Sequence, residues 1–127
     1  MKKIIYSDKA PQPIGPYSQA VRVGKLIFLS GQIGIDPNNG NLVSGGITAE
    51  THQVMKNIQA ILAEAKLSFA NIVKTTIFLT NLSDFTEVNQ IYAEYLSKDF
   101  PARSTIEVKA LPKGAKIEIE VIAEIVS

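Results

Sequence analysis

The stretch Lys116-Ile117-Glu118-Ile119-Glu120-Val121-Ile122-Ala123-Glu124 decides the fold, because polar and apolar side chains alternate along it. A period of two places successive side chains on opposite faces of a β-strand. We therefore expect the odd-numbered residues from Ile117 to Ala123 to face a core. The even-numbered residues, including Glu118 and Glu120, are expected on an open face of the sheet.

A second run, Arg103-Ser104-Thr105-Ile106-Glu107-Val108-Lys109, alternates in the same way. Its apolar members, Ile106 and Val108, are expected to face the core. The polar residues between them would then lie on the open face, so that Arg103 shares this face with Glu120.

The link between the two runs, Leu111-Pro112-Lys113-Gly114, is too short for a crossover connection and favours an antiparallel hairpin. Pairing Glu107 with Glu118 would place like charges opposite each other. A shift of two residues pairs Arg103 with Glu120 instead, and we favour that register. Any intervening strand would preserve the shared face but not the direct pairing.

The rest of the chain predicts two helices and further strands around them. Apolar residues recur at three- and four-residue steps over 48–67 and again over 83–96, with Thr48 as one N-cap and a capping box from Asp84 to Glu87 as the other. Strands are predicted at 3–6, 19–23, 25–30 and 72–80, with a hairpin turn at Gly24-Lys25. The order β-β-β-α-β-α-β-β predicts an α+β fold, a six-stranded mixed sheet with both helices on one face.

Composition predicts a single domain over residues 1–127, with a mass of 13.8 kDa and a net charge of +1. Near-neutral charge argues against nucleic acid or an anionic membrane as partner. There is no cysteine and one histidine, His52, which excludes thiolate chemistry and a multi-histidine metal site. Only two apolar residues follow Lys2-Lys3, far short of a signal peptide, so we expect a cytoplasmic protein.

Arg103 and Glu120 are the best lead to chemistry, because a guanidinium binds a carboxylate bidentately and a carboxylate can activate water. The alternative is a surface salt bridge of little energetic value, with Glu118 and Glu124 as ordinary solvated neighbours. The pattern alone leaves both interpretations open.

Five motifs, taken in order along the chain, resemble those of the RidA (YjgF-type) family. They are Ile14-Gly15-Pro16-Tyr17-Ser18-Gln19-Ala20, Ser30-Gly31-Gln32, Ile72-Val73-Lys74-Thr75-Thr76, Pro101-Ala102-Arg103-Ser104 and Ile117-Glu118-Ile119-Glu120. The resemblance covers nearly the whole chain. It implies a chorismate-mutase-like fold and a homotrimer whose open sheet faces pack together, with ligand clefts between subunits.

The activity implied by the resemblance is hydrolysis of 2-aminoacrylate and 2-aminocrotonate, through 2-iminopropanoate and 2-iminobutanoate, to 2-oxo acids and ammonia. Pyridoxal-phosphate-dependent serine and threonine dehydratases would supply these substrates. No cofactor or metal is implied. Two other functions stay open: a sensor of 2-oxo acids that does not turn them over, and, ranked third, a ribonuclease or translation inhibitor.

The resemblance also assigns residues. Arg103 would bind the substrate carboxylate, Glu120 would position water, and Tyr17 would be the cleft tyrosine. Three further residues match cleft positions of the family: Ser30, Gly31 and Asn89. The pattern alone leaves Gly31 either as a turn residue or as a point where a backbone amide can approach a ligand, and it gives Asn89 a surface role. Thr105 stands where many members carry a cysteine, so we expect it only to line the cleft.

Overall fold

The computed structural model describes residues 1–126, which form two long helices and a six-stranded sheet. The strands are β1 (Lys3–Ile5), β2 (Ala20–Val23), β3 (Leu26–Gln32), β4 (Ile72–Leu79), β5 (Ala102–Glu107) and β6 (Ile117–Glu124), and the helices are α1 (Gly46–Glu64) and α2 (Phe85–Leu96). The sheet is mixed, in the order β1-β2-β3-β6-β4-β5. The predicted α+β class and order of elements are confirmed.

Strand β6 forms the inner layer of the core as its alternation predicts. Ile117, Ile119, Val121 and Ala123 are each no more than 2% exposed, and they lie in one core cluster with the apolar stripe of α1. The stripe itself is almost completely buried, at Val54, Met55, Ile58, Ile61 and Leu62. Burial of this kind stabilises the fold by about 25 cal/mol per Å² of apolar surface, so it is the main force that holds α1 on the sheet.

The predicted helix caps are wrong. Helix α1 begins two residues early, after Gly45, whose φ of 116° is a left-handed conformation that favours glycine. The Thr48 hydroxyl instead donates to Glu87 Oε2 of α2 at 2.6 Å. Asp84 makes no side-chain cap at α2, where a short 3₁₀ turn (Leu82–Asp84) capped by Asn81 comes first. Thr48 therefore joins the two helices, and Asp84 lies just before α2.

The predicted hairpin between the last two strands is also wrong. Strand β6 lies between β3 and β4, antiparallel to both, whereas β5 pairs in parallel with the far side of β4 at the sheet edge. The link from β5 to β6 passes around the end of β4, where Val108 N donates to Leu79 O and Thr80 N donates to Lys116 O. A link of this length can step over one strand, because neighbouring strands are only about 4.8 Å apart.

The register places Arg103 and Glu120 on opposite faces of the sheet, which corrects the expectation of a shared face. Arg103 of β5 is the register partner of Thr75 of β4, and Thr75 is in turn the partner of Val121 of β6, which lies on the core face. Glu120 is level with Thr76, one residue further along. Because paired residues project to the same side, Arg103 faces the helices and Glu120 faces away from them.

The open face of the sheet carries large exposed apolar side chains. They include Ile4 (55% exposed), Val23 (48%), Leu26 (39%), Phe28 (39%) and Ile106 (47%). Ile106 is level with the half-buried Phe78 and projects to this face, opposite to the prediction. Neither helix within residues 1–126 has a stretch long and apolar enough to cross a membrane.

Candidate active site

Arg103 is held in a defined position on the helix side of β5. Its Nη1 donates to Asn89 Oδ1 of α2 at 2.7 Å. The guanidinium carbon also lies 5.2 Å from the ring centroids of both Phe85 and Tyr92, within cation–π range. A guanidinium has five N–H donors, so a bond to one neutral amide leaves donors free for a bidentate carboxylate.

Tyr92 of α2 helps to hold the Arg103 guanidinium in position. Its hydroxyl shares a buried hydrogen bond of 2.7 Å with Thr75 of β4. Burial raises the pKa of Tyr92, an effect that the Thr75 hydrogen bond and the Arg103 charge only partly offset. The phenol therefore stays neutral at ordinary pH and serves as a fixed apolar surface beside the guanidinium.

Thr105 lies two residues beyond Arg103 on the same face of β5. The two residues line a surface cavity of about 590 Å³ together with Leu82, Ser83, Phe85 and Thr86. Within residues 1–126, Thr105 Oγ1 is buried and has no hydrogen-bond partner. Leaving a buried hydroxyl unpaired costs about 1–3 kcal/mol, so a ligand or a neighbouring chain at this pocket would relieve that cost.

A second cleft, of about 610 Å³, opens on the other face of the sheet where β3 meets β6. Its lining includes Tyr17, Ser30, Gly31, Glu118 and Glu120. The Tyr17 side chain is half exposed, and its hydroxyl accepts a long hydrogen bond from Ile14 N at 3.4 Å. Ser30 Oγ donates to Ser18 O at 2.6 Å, which ties β3 to the segment that carries Tyr17.

The two glutamates in this cleft differ in their surroundings. Glu120 is exposed, whereas Glu118 is half-buried, so Glu118 is not the ordinary solvated neighbour of the surface salt-bridge alternative. Burial, and then the charge of Glu120, raise the pKa of Glu118. Gly31 makes room for this carboxylate, because a Cβ on Gly31 would lie only 2.6 Å from Glu118 Cδ.

Two buried amides hold the walls of the cleft, and the sequence reasoning missed both roles. Gln19 accepts from Ser7 N and donates to the carbonyls of Ser7 and Pro11, which fixes the proline-rich segment. Asn57 of α1, 1% exposed, donates to the carbonyls of Ile33 and Ile35 at 3.2 and 3.0 Å.

A signal for Asn57 was present in the sequence. It lies three residues after Val54 and four before Ile61, so it is a polar residue within an apolar helical stripe. A buried amide at such a position must satisfy its donors and acceptor, and here it does so by holding a loop.

The predicted site residues thus form two separate groups within one chain. Arg103, Asn89 and Thr105 lie together on the helix side of β5, while Tyr17, Ser30, Gly31 and Glu120 line the cleft on the open face. Among residues 1–126, no three His, Asp or Glu side chains are placed to hold a metal ion.

The chain is similar to known proteins over nearly its whole length. The family model described as Endoribonuclease L-PSP matches residues 7–125. A human protein named 2-iminobutanoate/2-iminopropanoate deaminase is 51% identical over 123 residues, which cover 97% of this chain and 90% of the human one. These matches confirm the resemblance drawn from the five motifs.

Solved structures agree with this assignment. A Yersinia pestis protein of unknown function, from the conserved Rid family, superposes with a TM-score of 0.96 at 52% identity, covering 98% of this chain and all of that one. Escherichia coli TdcF, solved with bound serine, superposes with a TM-score of 0.92 at 38% identity, covering 98% and 99% of the two chains. The fold and the alignment therefore extend over essentially the whole molecule.

Proposed function

The chain belongs to the Endoribonuclease L-PSP family, and from that premise we propose that it is a hydrolytic deaminase of 2-imino acids. Its substrates would be 2-iminopropanoate and 2-iminobutanoate, the imine forms of 2-aminoacrylate and 2-aminocrotonate, and its products 2-oxo acids and ammonia. The observation that carries the proposal is the 51% identity, over 97% of this chain, to a human protein named for this activity. Mouse and bovine relatives of the same name are 49% and 50% identical.

Arg103 is assigned to the substrate carboxylate. The contacts with Asn89, Phe85 and Tyr92 hold the guanidinium before a ligand arrives, so little conformational freedom is lost on binding. A bidentate clamp also fixes the orientation of the imine carbon relative to an attacking water. Thr105, whose hydroxyl finds no hydrogen-bond partner among residues 1–126, would line this part of the site.

Glu120 is assigned to the water molecule. Its carboxylate lines the cleft beside Ser30 and Tyr17, which are candidates to hold the water and the substrate. A carboxylate that accepts a proton from water makes the oxygen a better nucleophile toward the imine carbon. Imine hydrolysis already proceeds in water, so orientation and proton transfer together can supply much of the acceleration required.

These assignments require more than one chain, because the two groups of residues lie on opposite faces of one chain, and the assembly proposed is the homotrimer that the family resemblance implies. The exposed apolar side chains of the open face, Phe28 and Ile106 among them, are what a subunit interface would bury. In a ring of identical subunits, two different surface patches meet at each interface. The pocket beside the edge strand β5 of one subunit would then face the Glu120 cleft of the next.

The same proposal implies a source for the substrates. Pyridoxal-phosphate-dependent serine and threonine dehydratases would release the substrates, and the protein itself would need no cofactor. A cytoplasmic location remains a prediction.

A sensor of small carboxylates is the second candidate function. It is favoured by one observation, the bound serine in the related TdcF structure, since a carboxylate clamp can serve binding without turnover. Ribonuclease activity, although named in the family description, has less support, because the open-face cleft contains two glutamates and one lysine, an unsuitable lining for phosphates.

One experiment separates these functions. A serine or threonine dehydratase generates the imine in situ, and ammonia or 2-oxo acid release is followed with and without the protein. Acceleration that disappears in Arg103→Ala supports the deaminase. Tight 2-oxobutanoate binding without acceleration supports the sensor, and cleavage of RNA with neither supports the third candidate.

A further inference from the structure

Glu118 is a second carboxyl group in the cleft that contains Glu120. The two residues are separated by one residue on β6 and project to the same face, so their Cα atoms are roughly 7 Å apart. Both line the 610 Å³ cleft together with Tyr17 and Lys113. The roles assigned to Arg103 and Glu120 leave the Glu118 carboxyl group unused.

The strand register of the sheet fixes the position of Glu118. A register shift in β3 between Leu29 and Gln32 brings Gly31 against the Glu118 carboxylate. On its other side, Glu118 is level with Phe78 of β4, an apolar neighbour. The side chain therefore lies half-buried between a glycine and an aromatic residue, with its carboxyl group at the cleft.

We propose that Glu118 is a catalytic acid that protonates the imine nitrogen while Glu120 removes a proton from the attacking water. This inference rests on the proposed deaminase function and deepens it. In an acid–base pair the two groups need different proton affinities, and these two glutamates have different environments. The charged and titratable groups lining the cleft with Glu118 are Glu120, Tyr17 and Lys113.

The surroundings of Glu118 favour its protonated form. Burial raises its pKa first, and the negative charge of Glu120 raises it further. A carboxyl group with a raised pKa keeps its proton to a higher pH and can donate that proton to a basic nitrogen. Glu120 is exposed, so its carboxylate is accessible to the attacking water.

The two glutamates would exchange roles in the course of one turnover. Water attacks the imine carbon, its proton passes to Glu120, the C=N electron pair moves to nitrogen, and Glu118 protonates that nitrogen to give a carbinolamine. Glu120 then returns its proton to the amino group and Glu118 takes the hydroxyl proton as the C–N bond breaks and C=O forms. Ammonia leaves, and both glutamates regain their starting states.

The test compares Glu118→Gln with Glu120→Gln and with Glu124→Gln. Glu124 is an exposed residue on the same face of β6, outside both clefts, and serves as the matched control. Each variant is assayed from pH 5 to 9 for enzyme-dependent imine hydrolysis, after subtraction of the spontaneous rate. Binding of 2-oxobutanoate is measured separately by calorimetry.

We expect Glu118→Gln to lower kcat by about 10²-fold while 2-oxobutanoate binds as in the wild type, since general acid catalysis contributes 10²–10⁴-fold. Wild-type activity should fall as pH rises through the pKa of Glu118, and this decline should be absent in Glu118→Gln. The Glu124 variant should behave like the wild type.

A Glu118→Gln variant with wild-type kcat and an unchanged pH profile would overturn the inference while leaving the deaminase proposal intact. A wild-type protein that does not accelerate hydrolysis at any pH would overturn both. Loss of 2-oxobutanoate binding in the variant would assign Glu118 to binding and also refute its role as an acid. Gly31→Ala, which displaces the carboxylate without removing it, should lower kcat in the same direction.

Discussion

Subunits that lack Arg103 and subunits that lack Glu120 should complement each other in mixed trimers. Arg103→Ala removes the guanidinium from the helix side of β5, and Glu120→Ala removes the carboxylate from the cleft on the open face. Because these groups face away from each other within one chain, the proposed site would need two chains to be complete. Each variant alone should form trimers without a single complete site.

The recovery expected on mixing follows from this geometry. An interface is complete only when the subunit on its β5 side retains Arg103 and its neighbour retains Glu120. With equal expression and random assembly, this occurs at about a quarter of all interfaces. Every mixed trimer has one complete interface among its three, so purified mixed trimers should show about a third of the wild-type activity per trimer.

The assay uses co-expression with two affinity tags, sequential purification of mixed trimers, and ammonia release from a dehydratase-generated imine. The control mixes Glu120→Ala with Tyr17→Ala, whose lost groups belong to the same cleft, so no interface regains a complete cleft. Mixed trimers of the first pair that are no more active than their parents would refute a site shared by two chains. Full activity of Arg103→Ala alone would refute its role in binding substrate.

Three further predictions concern stability and assembly. Asn57→Ala should lower the free energy of unfolding by about 2–4 kcal/mol in urea at matched protein concentration, because the carbonyls of Ile33 and Ile35 lose their partner; a loss below about 1 kcal/mol would contradict this. Phe28→Asp should give monomers in light scattering, because a charge would be placed in the proposed apolar interface, whereas an intact trimer would argue against that interface. Since burial raises the pKa of Glu118 above its ordinary value of 4.5, the stabilising contribution of its protonated form is lost as pH rises from 4.5 through the raised pKa, and Glu118→Gln should become increasingly the more stable of the two over this rise; a difference in thermal midpoint that does not change with pH would contradict this.

The helices, the order of elements and the inward face of β6 could be predicted from the sequence because each depends on local periodicity. The stripe from Val54 to Leu62 and the alternation of β6 between Ile117 and Ala123 both identify the buried side directly. Helix starts do not follow from the local pattern alone, since Thr48 and Asp84 are typical capping residues whose side chains here do not cap. Tertiary contacts decide what such polar side chains bind.

The face of β5 could not be predicted, for a different reason. Alternation reveals which face is buried only if the other face is polar, and here the open face is itself apolar. Ile106 faces that open side and Arg103 the helices, where Asn89 and two aromatic rings surround it. The position of β5 beyond β4 is a long-range pairing that no short pattern specifies.

The division of the site between two faces explains why the residues were recognisable while their arrangement was not. A motif such as Pro101-Ala102-Arg103-Ser104 identifies side chains that the proposed chemistry would use, but not which chain brings them together. For the proposed reaction, the Arg103 pocket and the Glu120 cleft of one subunit would each be incomplete, because among residues 1–126 the first is lined by a cation and no carboxylate and the second by carboxylates and no guanidinium. Function in this protein would therefore depend on assembly.

Strand β6 contributes residues both to the core and to the proposed active site, which restricts the substitutions that it can accept. Its odd-numbered residues fill the core at no more than 2% exposure, while Glu118 and Glu120 occupy the opposite face of the same strand. A shift of register by one residue would bury both carboxylates and expose the core residues, so the alternation that determines the fold also directs both carboxylates to the cleft. Half-burial raises the pKa of Glu118, so the charged carboxylate is less favourable in the folded protein than in the unfolded chain. At neutral pH this lowers the free energy of unfolding compared with that of a protein with an uncharged side chain at position 118. Replacing Glu118 by leucine should stabilise the strand and abolish the proposed proton transfer, which is the opposition between stability and activity expected of a residue retained for its chemistry.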